Sequence, residues 1–328
     1  MKPSKIFSCA AVTMVLFAAQ TNVTTAAETL RLGGVHSPTS FETQSLEHFA
    51  QLVEEKTNGE LTIQVFPASQ LGDAVSMIEN VKIGAQDMFA NVSNWNSHIV
   101  SDYGILGMPF AFSDITHLKR FQKSDVFLDM KARMISEQGL RVLADNYYRL
   151  PRVLVTKQPV SELADIQGLL MRMANISVFL ETWEALGAKP TVIPWAESYL
   201  ALRTGVVDGL DSPLSSIYSQ QFYLAVQYVT MTNHSVAPFN ILISEISFSK
   251  LSATNQSMLI EAAEESGDFY TQMIEDNFAP QRTEMLESGV TFSEIDTIEF
   301  VASASEVAAR LESEGKWATG LFALIQGL

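Results

Sequence analysis

Two arginines stand inside apolar segments of the chain, where a charged side chain needs a partner. Arg172 lies within the apolar run 169–173, and Arg152 opens the apolar run 152–155. A guanidinium on an apolar strand loses its hydration, which is costly unless it binds a carboxylate or another acceptor. The partner of Arg172 is therefore either a carboxylate of the chain itself or an anionic ligand. A second forked donor near it, Arg152, would suit a bound carboxylate, which accepts paired hydrogen bonds.

Motifs of common enzymes and metal sites are absent from the sequence. It contains no G-x-S-x-G, H-E-x-x-H or G-x-x-x-x-G-K-[ST] motif, and no G-x-G-x-x-G after a strand. The five histidines lie far apart, and the one cysteine, Cys9, lies near the start, so neither a local zinc site nor a disulfide is predicted. Because 37 residues are acidic, some close carboxylate pair is inevitable and does not indicate a glycosidase. We expect no catalytic residues, no metal and no cofactor.

The composition is that of a well-packed and strongly acidic globular protein. Of the 328 residues, 47% are hydrophobic and 18% are charged, which excludes disorder, collagen and coiled coil for the whole chain. The formal net charge is −16, and the sequence has no run rich in lysine or arginine. Since phosphate backbones bind basic surfaces, we expect no nucleic-acid partner.

The first 27 residues follow the three-part pattern of a secretory signal peptide. Lys2 and Lys5 precede an apolar stretch over residues 6–19, and small residues follow at 24–27. We predict cleavage after Ala27 and export of the remaining chain. No later run reaches about 18 uncharged apolar residues, so the sequence predicts no membrane span.

Strands and helices alternate over the first ninety residues. Strands are predicted at 30–32, 61–65 and 87–90 from their alternating or continuous apolar residues. Thr39 and Glu42 have the spacing of a capping box at the start of the first helix. This strand–helix–strand order predicts a parallel α/β sheet.

His36 and Asn91 follow the first and third of these strands. The carboxyl ends of strands are where open α/β sheets bind ligands. Both residues are therefore candidate ligand-binding residues, and a solvated loop position is the alternative for each.

The pattern restarts near residue 150, which predicts a second α/β lobe. Strands are predicted at 152–156 and 169–173. Further along, the apolar spacing over residues 259–274 predicts a long helix, kinked or ended near Pro280.

Seven segments of the sequence resemble one family in their order and spacing. They are EKTNG at 55–59, FPASQLG at 66–72, MPFAF at 108–112, DIQGLLMR at 165–172, WEALGAKPT at 183–191, YLALRTGVVDG at 199–209 and QFY at 221–223. They make the chain similar to the solute-binding proteins of tripartite ATP-independent periplasmic (TRAP) transporters, of the DctP type. The resemblance covers nearly all of the chain after the signal peptide.

This resemblance implies a two-lobed periplasmic binding protein fold in the α/β class, with a hinge and a long helix that spans both lobes. The first lobe would comprise residues 28–149 and about 238–278, and the second lobe 150–237 and about 279–328. The ligand cleft would lie between them. Such a receptor closes on a small organic anion in the periplasm and delivers it to the membrane permease subunits of a TRAP transporter.

The resemblance also implies roles for single residues. Arg172 matches the arginine that forms a two-point salt bridge with the ligand carboxylate, and Arg152 matches a second arginine that reaches the same group. Asn175 matches a position lining the cavity, where its amide could bond a hydroxyl. Trp195 matches an aromatic wall that could stack on a sugar-like ring, although a core position is equally open. For His234 we favour a structural hydrogen bond over ligand contact.

One motif departs from the family pattern. The family often carries Glu-Asn-Pro where this chain has Asp211, Ser212 and Pro213. Serine still forms hydrogen bonds, but it is shorter than asparagine and leaves room for a bulkier ligand or a water. Asp211 and Ser212 are kept as candidate ligand-binding residues. Together with Trp195, the smaller serine favours a hydroxylated sugar acid, such as a uronate or an aldonate.

Other functions stay open at this point. The ligand could be a dicarboxylate, a keto acid or an ectoine-like zwitterion. The receptor could also serve a signalling kinase instead of a transporter. A secreted enzyme would need a nucleophile, an acid–base pair or a metal that the sequence does not supply.

Overall fold

The computed structural model describes residues 27–328. The predicted signal peptide therefore lies outside the described residues, apart from Ala27. The described chain forms two β-sheets with helices packed around them, which confirms the predicted two-lobed α/β fold. Within residues 27–328, no helix has both the length and the apolar character needed to cross a bilayer.

The sheet of the first lobe contains β1 (Glu28–Gly34), β2 (Leu61–Phe66), β3 (Met88–Val92), β4 (Leu140–Tyr147) and β10 (Phe239–Ser244). Their order across the sheet is β2-β1-β3-β10-β4. β1 pairs in parallel with β2 and β3, as the strand–helix–strand pattern predicts. β10 runs antiparallel to β3 and β4, because the chain returns to this sheet from the second lobe.

The sheet of the second lobe has six strands. They are β5 (Arg152–Thr156), β6 (Leu170–Met173), β7 (Lys189–Val192), β8 (Gly209–Pro213), β9 (Tyr228–Met231) and β11 (Thr291–Glu294). Their order is β11-β9-β5-β8-β6-β7. β5 is antiparallel to β8 and β9, whereas β6 is parallel to β7 and β8. Every residue of β5 and β8 is buried, which fits their central place in the sheet.

Helices connect the strands and cover both sheets. The α-helices are α1 (Phe41–Lys56), α2 (Ala74–Lys82), α3 (Ile115–Gln122), α4 (Asp125–Gln138), α5 (Ser177–Ala185), α6 (Ser198–Thr204), α7 (Leu214–Ser219), α8 (Glu245–Phe248), α9 (Ala253–Glu287), α10 (Ile298–Ser313) and α11 (Leu321–Gln326). Short 3-10 helices lie at Ser93–His98, Ser101–Gly107, Leu163–Ile166, Trp195–Glu197 and Phe222–Leu224.

The start of α1 differs from the predicted capping box. Ser40, not Thr39, caps the helix, and its side chain accepts a hydrogen bond from the backbone N–H of Thr43 at 3.1 Å. Glu42 is 1% exposed and forms an ion pair with Arg149 in place of the predicted cap contact. The Glu42 carboxylate, which the local sequence predicts to cap the helix, instead pairs with Arg149 and accepts a hydrogen bond from Ser216.

Helix α9 spans both lobes. It packs on the core of the first lobe from Leu259 to Ile274, and its last turns reach the core of the second lobe through Met285. Pro280 lies inside the helix and does not end it, contrary to one of the two outcomes predicted from the sequence. The helix therefore ties the two lobes together along one side.

Two crossing segments join the lobes beside the cleft. One connects β4 to β5 and the other connects β9 to β10. They are hydrogen-bonded to each other: the N–H of Arg152 donates to the carbonyl of Ser235 at 2.8 Å, and the N–H of His234 donates to the carbonyl of Arg152 at 3.2 Å. At the C-terminal end, α11 contacts α3 of the first lobe, where Nε2 of His117 lies 2.7 Å from the carbonyl of Ile325. The lobe boundaries given above remain predictions.

Candidate ligand-binding site

A cavity of about 170 Å³ lies between the two lobes. Side chains of both sheets line it, where β1 and β3 end in the first lobe and where β6 and β8 end in the second. Seven of the eight predicted ligand-binding residues line this one cavity: His36, Asn91, Arg152, Arg172, Asn175, Trp195 and Ser212. The structure thus brings together residues that are up to 176 positions apart in the sequence. Ligand binding by each of them remains a prediction.

Asp211 is the predicted residue that does not line the cavity. Its carboxylate accepts a hydrogen bond from Nε of Arg152 at 2.7 Å and lies 2.9 Å from Nε2 of His234. Burial raises the pKa of Asp211, but the Arg152 cation and the hydrogen bonds from His234 and Arg152 hold it well below the usual range. Asp211 thus binds Arg152 from behind the cavity wall, and its predicted ligand contact stays a prediction.

His234 forms hydrogen bonds within the protein, as predicted. Its Nε2 faces Asp211, and its Nδ1 lies 2.8 Å from the hydroxyl of Thr232. Nε2 donates to Asp211, because a carboxylate only accepts hydrogen bonds. His234, Asp211 and Arg152 form one buried chain of hydrogen bonds behind the cavity wall.

Arg172 has a different environment from Arg152. It is 5% exposed, its Nε donates to the carbonyl of Ile193 at 2.9 Å, and its guanidinium carbon lies 5.2 Å from the ring centre of Trp195. Within residues 27–328, no carboxylate lies within ion-pair distance of its guanidinium nitrogens. Burial and the neighbouring Arg152 cation lower the pKa of Arg172 to about 9, with only Asp211 opposing them. An anion in the cavity would raise the pKa of Arg172 again, because a nearby negative charge favours the charged guanidinium.

Trp195 forms part of the cavity wall, at the start of a short 3-10 helix after β7. Its ring packs edge-on against His36 at 5.6 Å and against Phe222 at 5.1 Å between ring centres. The contact with His36 joins the two lobes across the cavity. Of the two positions open from the sequence, the structure places Trp195 in the wall.

Several buried polar atoms of lining residues have no hydrogen-bond partner within residues 27–328. They are Nδ1 of His36, Oδ1 of Asn91, Oδ1 and Nδ2 of Asn94, Nε of Arg149, Nε1 of Trp195 and Oγ of Ser212. Buried polar groups in folded proteins are almost always paired, because an unpaired one costs about 1–3 kcal/mol. A bound molecule with several hydroxyls could pair with both the donors and the acceptors of this set.

The sequence matches the DctP family, described as bacterial extracellular solute-binding protein, family 7, over residues 32–314. The chain belongs to this family. The family resemblance inferred from the seven segments is thereby confirmed, and the chain is a solute-binding protein, not an enzyme.

Individual members of the DctP family are similar over most of their length. The 2,3-diketo-L-gulonate-binding periplasmic protein YiaO of Escherichia coli is 31% identical over 267 residues, which cover 81% of this chain and 80% of that protein.

Two solved structures from Roseobacter denitrificans are also similar. Both are TRAP periplasmic solute binding proteins. The one with bound β-D-glucuronate has a TM-score of 0.86 and 28% identity, covering 91% of this chain and 99% of that one. The one with bound L-galactonate has a TM-score of 0.84 and 25% identity, covering 91% and 97%. These likenesses support the two-lobed DctP fold independently of single motifs.

Two lining residues that carry unpartnered polar atoms within residues 27–328 were missed by the sequence analysis. Asn94 follows Asn91 by three residues, so the asparagines at the end of β3 and just after it were an available signal. Arg149 lies in the segment between β4 and β5 and is 3% exposed. Nothing in its local sequence indicates burial, because its neighbours are those of an ordinary connection between strands. In this DctP family member, three arginines therefore line the cavity where two were predicted.

Proposed function

We propose that the chain is the periplasmic receptor of a TRAP transporter, that it binds a hydroxylated sugar acid such as a uronate or an aldonate, and that it delivers this acid to membrane permease subunits. The observation that carries the proposal is Arg172, a buried guanidinium in the cavity with no carboxylate within ion-pair distance among residues 27–328. A ligand carboxylate would supply the missing acceptor through paired, charge-assisted hydrogen bonds.

The rest of the cavity wall supports a hydroxylated ligand. Asn91, Asn94, Trp195 and Ser212 carry donors and acceptors without partners in the described chain. Hydroxyl groups both donate and accept, so a polyol chain or a pyranose ring fits this mixture better than a plain dicarboxylate does. The edge-on packing of Trp195 fixes its ring in the wall beside Arg172.

The similar proteins support the same ligand class. Two of the solved structures contain β-D-glucuronate and L-galactonate, which are a uronate and an aldonate, and the protein from Escherichia coli is named for a diketo sugar acid. All three ligands combine one carboxylate with several oxygen atoms. This is the pattern that Arg172 and the unpartnered polar atoms of the cavity would recognise.

A binding screen of the purified exported protein tests this proposal. The panel comprises uronates, aldonates, dicarboxylates, keto acids, ectoine and neutral sugars, measured by titration calorimetry. We expect uronates or aldonates to bind, and Arg172→Gln to weaken that binding at least about a hundredfold, because the ligand carboxylate is left buried without its partner.

Arg203→Gln is the matched control, since Arg203 is an exposed arginine of α6 in the same lobe. It removes one positive charge and should leave affinity unchanged. Binding of neutral sugars, or sugar-acid binding that survives Arg172→Gln, would contradict the proposal.

Location and delivery are tested separately. We expect the protein isolated from the periplasm to begin at Glu28, as judged by its intact mass. We also expect ligand uptake into vesicles to require both this receptor and its permease subunits. A protein retained in the cytoplasm, or uptake independent of the receptor, would overturn this part of the proposal.

A further inference from the structure

Arg149 is held in the cavity wall by a buried ion pair with Glu42 and a hydrogen bond to the second lobe. Its Nη2 lies 3.2 Å from Oε1 of Glu42 in α1 and donates to Oγ of Ser216 in α7 at 2.8 Å. Oγ of Ser216 in turn donates to the same carboxylate oxygen of Glu42 at 3.0 Å. Glu42, Arg149 and Ser216 are all less than 5% exposed. The charge of Arg149 is thus compensated inside the protein.

The charges around the cavity leave one cation uncompensated. Arg149 is paired with Glu42 and Arg152 with Asp211, whereas Arg172 has no carboxylate within ion-pair distance in the described chain. His36 adds no charge at neutral pH, because burial lowers its pKa to about 4. Three buried arginines and two buried carboxylates therefore give the site one net positive charge.

Two further titratable groups lie near this site. His234 is hydrogen-bonded to Asp211 and Thr232 behind the wall and does not line the cavity. Asp73 lines the cavity, but it is exposed, and its carboxylate accepts from the backbone N–H of Ser76 at the start of α2. Its charge lies at the mouth of the cavity and is screened by solvent.

We propose that Glu42 determines the charge of the ligand: by neutralising Arg149, it restricts the site to acids with a single negative charge and excludes diacids. This inference rests on the proposed binding of sugar acids and adds a selectivity that the ligand class alone does not give. A second ligand carboxylate would be desolvated in the cavity without a free cation to receive it. Burial of an unpaired charge is costly, so the diacid binds more weakly.

The test uses two ligands that differ at one carbon. Galactonate and galactarate share the same six-carbon chain, and the hydroxymethyl group of the first is a carboxylate in the second. Affinities of both are measured by titration calorimetry at neutral pH for the wild-type protein. We expect galactonate to bind at least about tenfold more tightly, which corresponds to about 1.4 kcal/mol.

Variants of the Glu42–Arg149 pair should first lower and then restore the preference for galactonate over galactarate. Glu42→Gln leaves Arg149 uncompensated, so the ratio of galactonate to galactarate affinity should fall at least about tenfold. The double variant Glu42→Gln with Arg149→Gln removes both charges and restores one net positive charge. It should regain the wild-type preference, a rescue that a merely structural role of the pair does not produce.

Folding of each variant is checked by circular dichroism and thermal melting. If Glu42→Gln does not fold, Arg149→Gln tests the same ion pair, because it leaves the Glu42 charge uncompensated. We expect its affinity for galactonate to fall at least about tenfold and to recover in the double variant.

Equal wild-type affinity for the two acids overturns the inference but leaves the proposed function standing. So does an unchanged affinity ratio in folded Glu42→Gln. Wild-type protein that binds neither acid nor any other sugar acid overturns both the inference and the proposed function.

Discussion

Arg152 and Arg172 lie in the same sheet, on strands separated only by β8, and line the same cavity, yet their surroundings differ in charge. Arg152 donates to the buried carboxylate of Asp211, whereas Arg172 donates through Nε to a backbone carbonyl. Arg152 is therefore paired within the folded protein. Burial of the Arg172 charge is unfavourable for folding, and an anionic ligand can offset this cost.

The strand register explains this difference. Leu154 pairs with Asp211 across β5 and β8, so Arg152, two residues earlier on β5, lies on the same face as Asp211. Arg172 pairs with Leu210 across β6 and β8 and therefore lies on the opposite face. A shift of one residue between β5 and β8 would place Arg152 on the other face, away from Asp211.

Replacing Asp211 should give the largest effect on stability. Asp211→Asn keeps the side-chain size but leaves Arg152 buried without its carboxylate. The free energy of unfolding of the ligand-free protein should fall by about 3–5 kcal/mol, as for other broken buried ion pairs. Urea denaturation measures this change.

The matched variant at the other arginine is Arg172→Gln. Because it breaks no ion pair and only the hydrogen bond to Ile193, unfolding of the ligand-free protein should change by no more than about 1 kcal/mol. A loss as large as that in Asp211→Asn would show that Arg172 also has a structural partner, and the comparison would fail.

His36 extends the comparison to the first lobe, where a titratable group is kept uncharged. Its folded pKa of about 4 lies below the unfolded value of 6.5, chiefly through burial, so the unfolded chain binds the proton first. The associated stability is complete above pH 6.5 and is lost as pH falls towards 4, by about 3 kcal/mol for a pKa difference of this size. The difference in unfolding free energy between wild type and His36→Gln, measured from pH 7 to pH 4, should show this slope. Parallel curves for the two proteins would argue against a neutral His36.

Replacing Ser212 should give the smallest effect, and it should change only the affinity for the ligand. It lies on the same face as Arg172, and its hydroxyl lines the cavity without a partner in the described chain. Ser212→Ala should weaken sugar-acid binding about three- to tenfold, the value of one hydrogen bond, and leave the melting temperature of the ligand-free protein unchanged.

Ser215→Ala is the control for Ser212, because Ser215 is equally buried, does not line the cavity and has a hydroxyl with no partner among residues 27–328. It should leave affinity as in the wild type. Equal weakening in both variants would mean that Ser212 acts through packing and not through a ligand hydroxyl.

Much of the cavity could be predicted from local sequence signals. Arg152 and Arg172 interrupt apolar strands, and His36 and Asn91 follow strands, so their burial or position at strand ends is encoded nearby. The family motifs then added Asn175, Trp195 and Ser212. All seven line the cavity, because the ends of the strands from both sheets face the same cleft.

The differences between the local sequence patterns and the structure share one physical cause, which is contact between distant segments. Glu42 has the local spacing of a helix cap but pairs with Arg149, 107 positions away. Asp211 belongs to a family motif that suggested ligand contact, but Arg152 lies close enough to bind its carboxylate. Pro280 is placed where a helix could end, but α9 continues to Glu287 because its last turns pack on the second lobe.

The sequence by itself determined the alternation of strands and helices, the family, and the residue types that reach the cleft, because apolar periodicity and short motifs act over a few neighbouring residues. Only the tertiary structure decided which buried arginine is compensated and which is free to bind an anion. That choice depends on strand register and on contacts between the lobes, and a side chain's charge partner is set by distance in space, which the linear order of residues does not give.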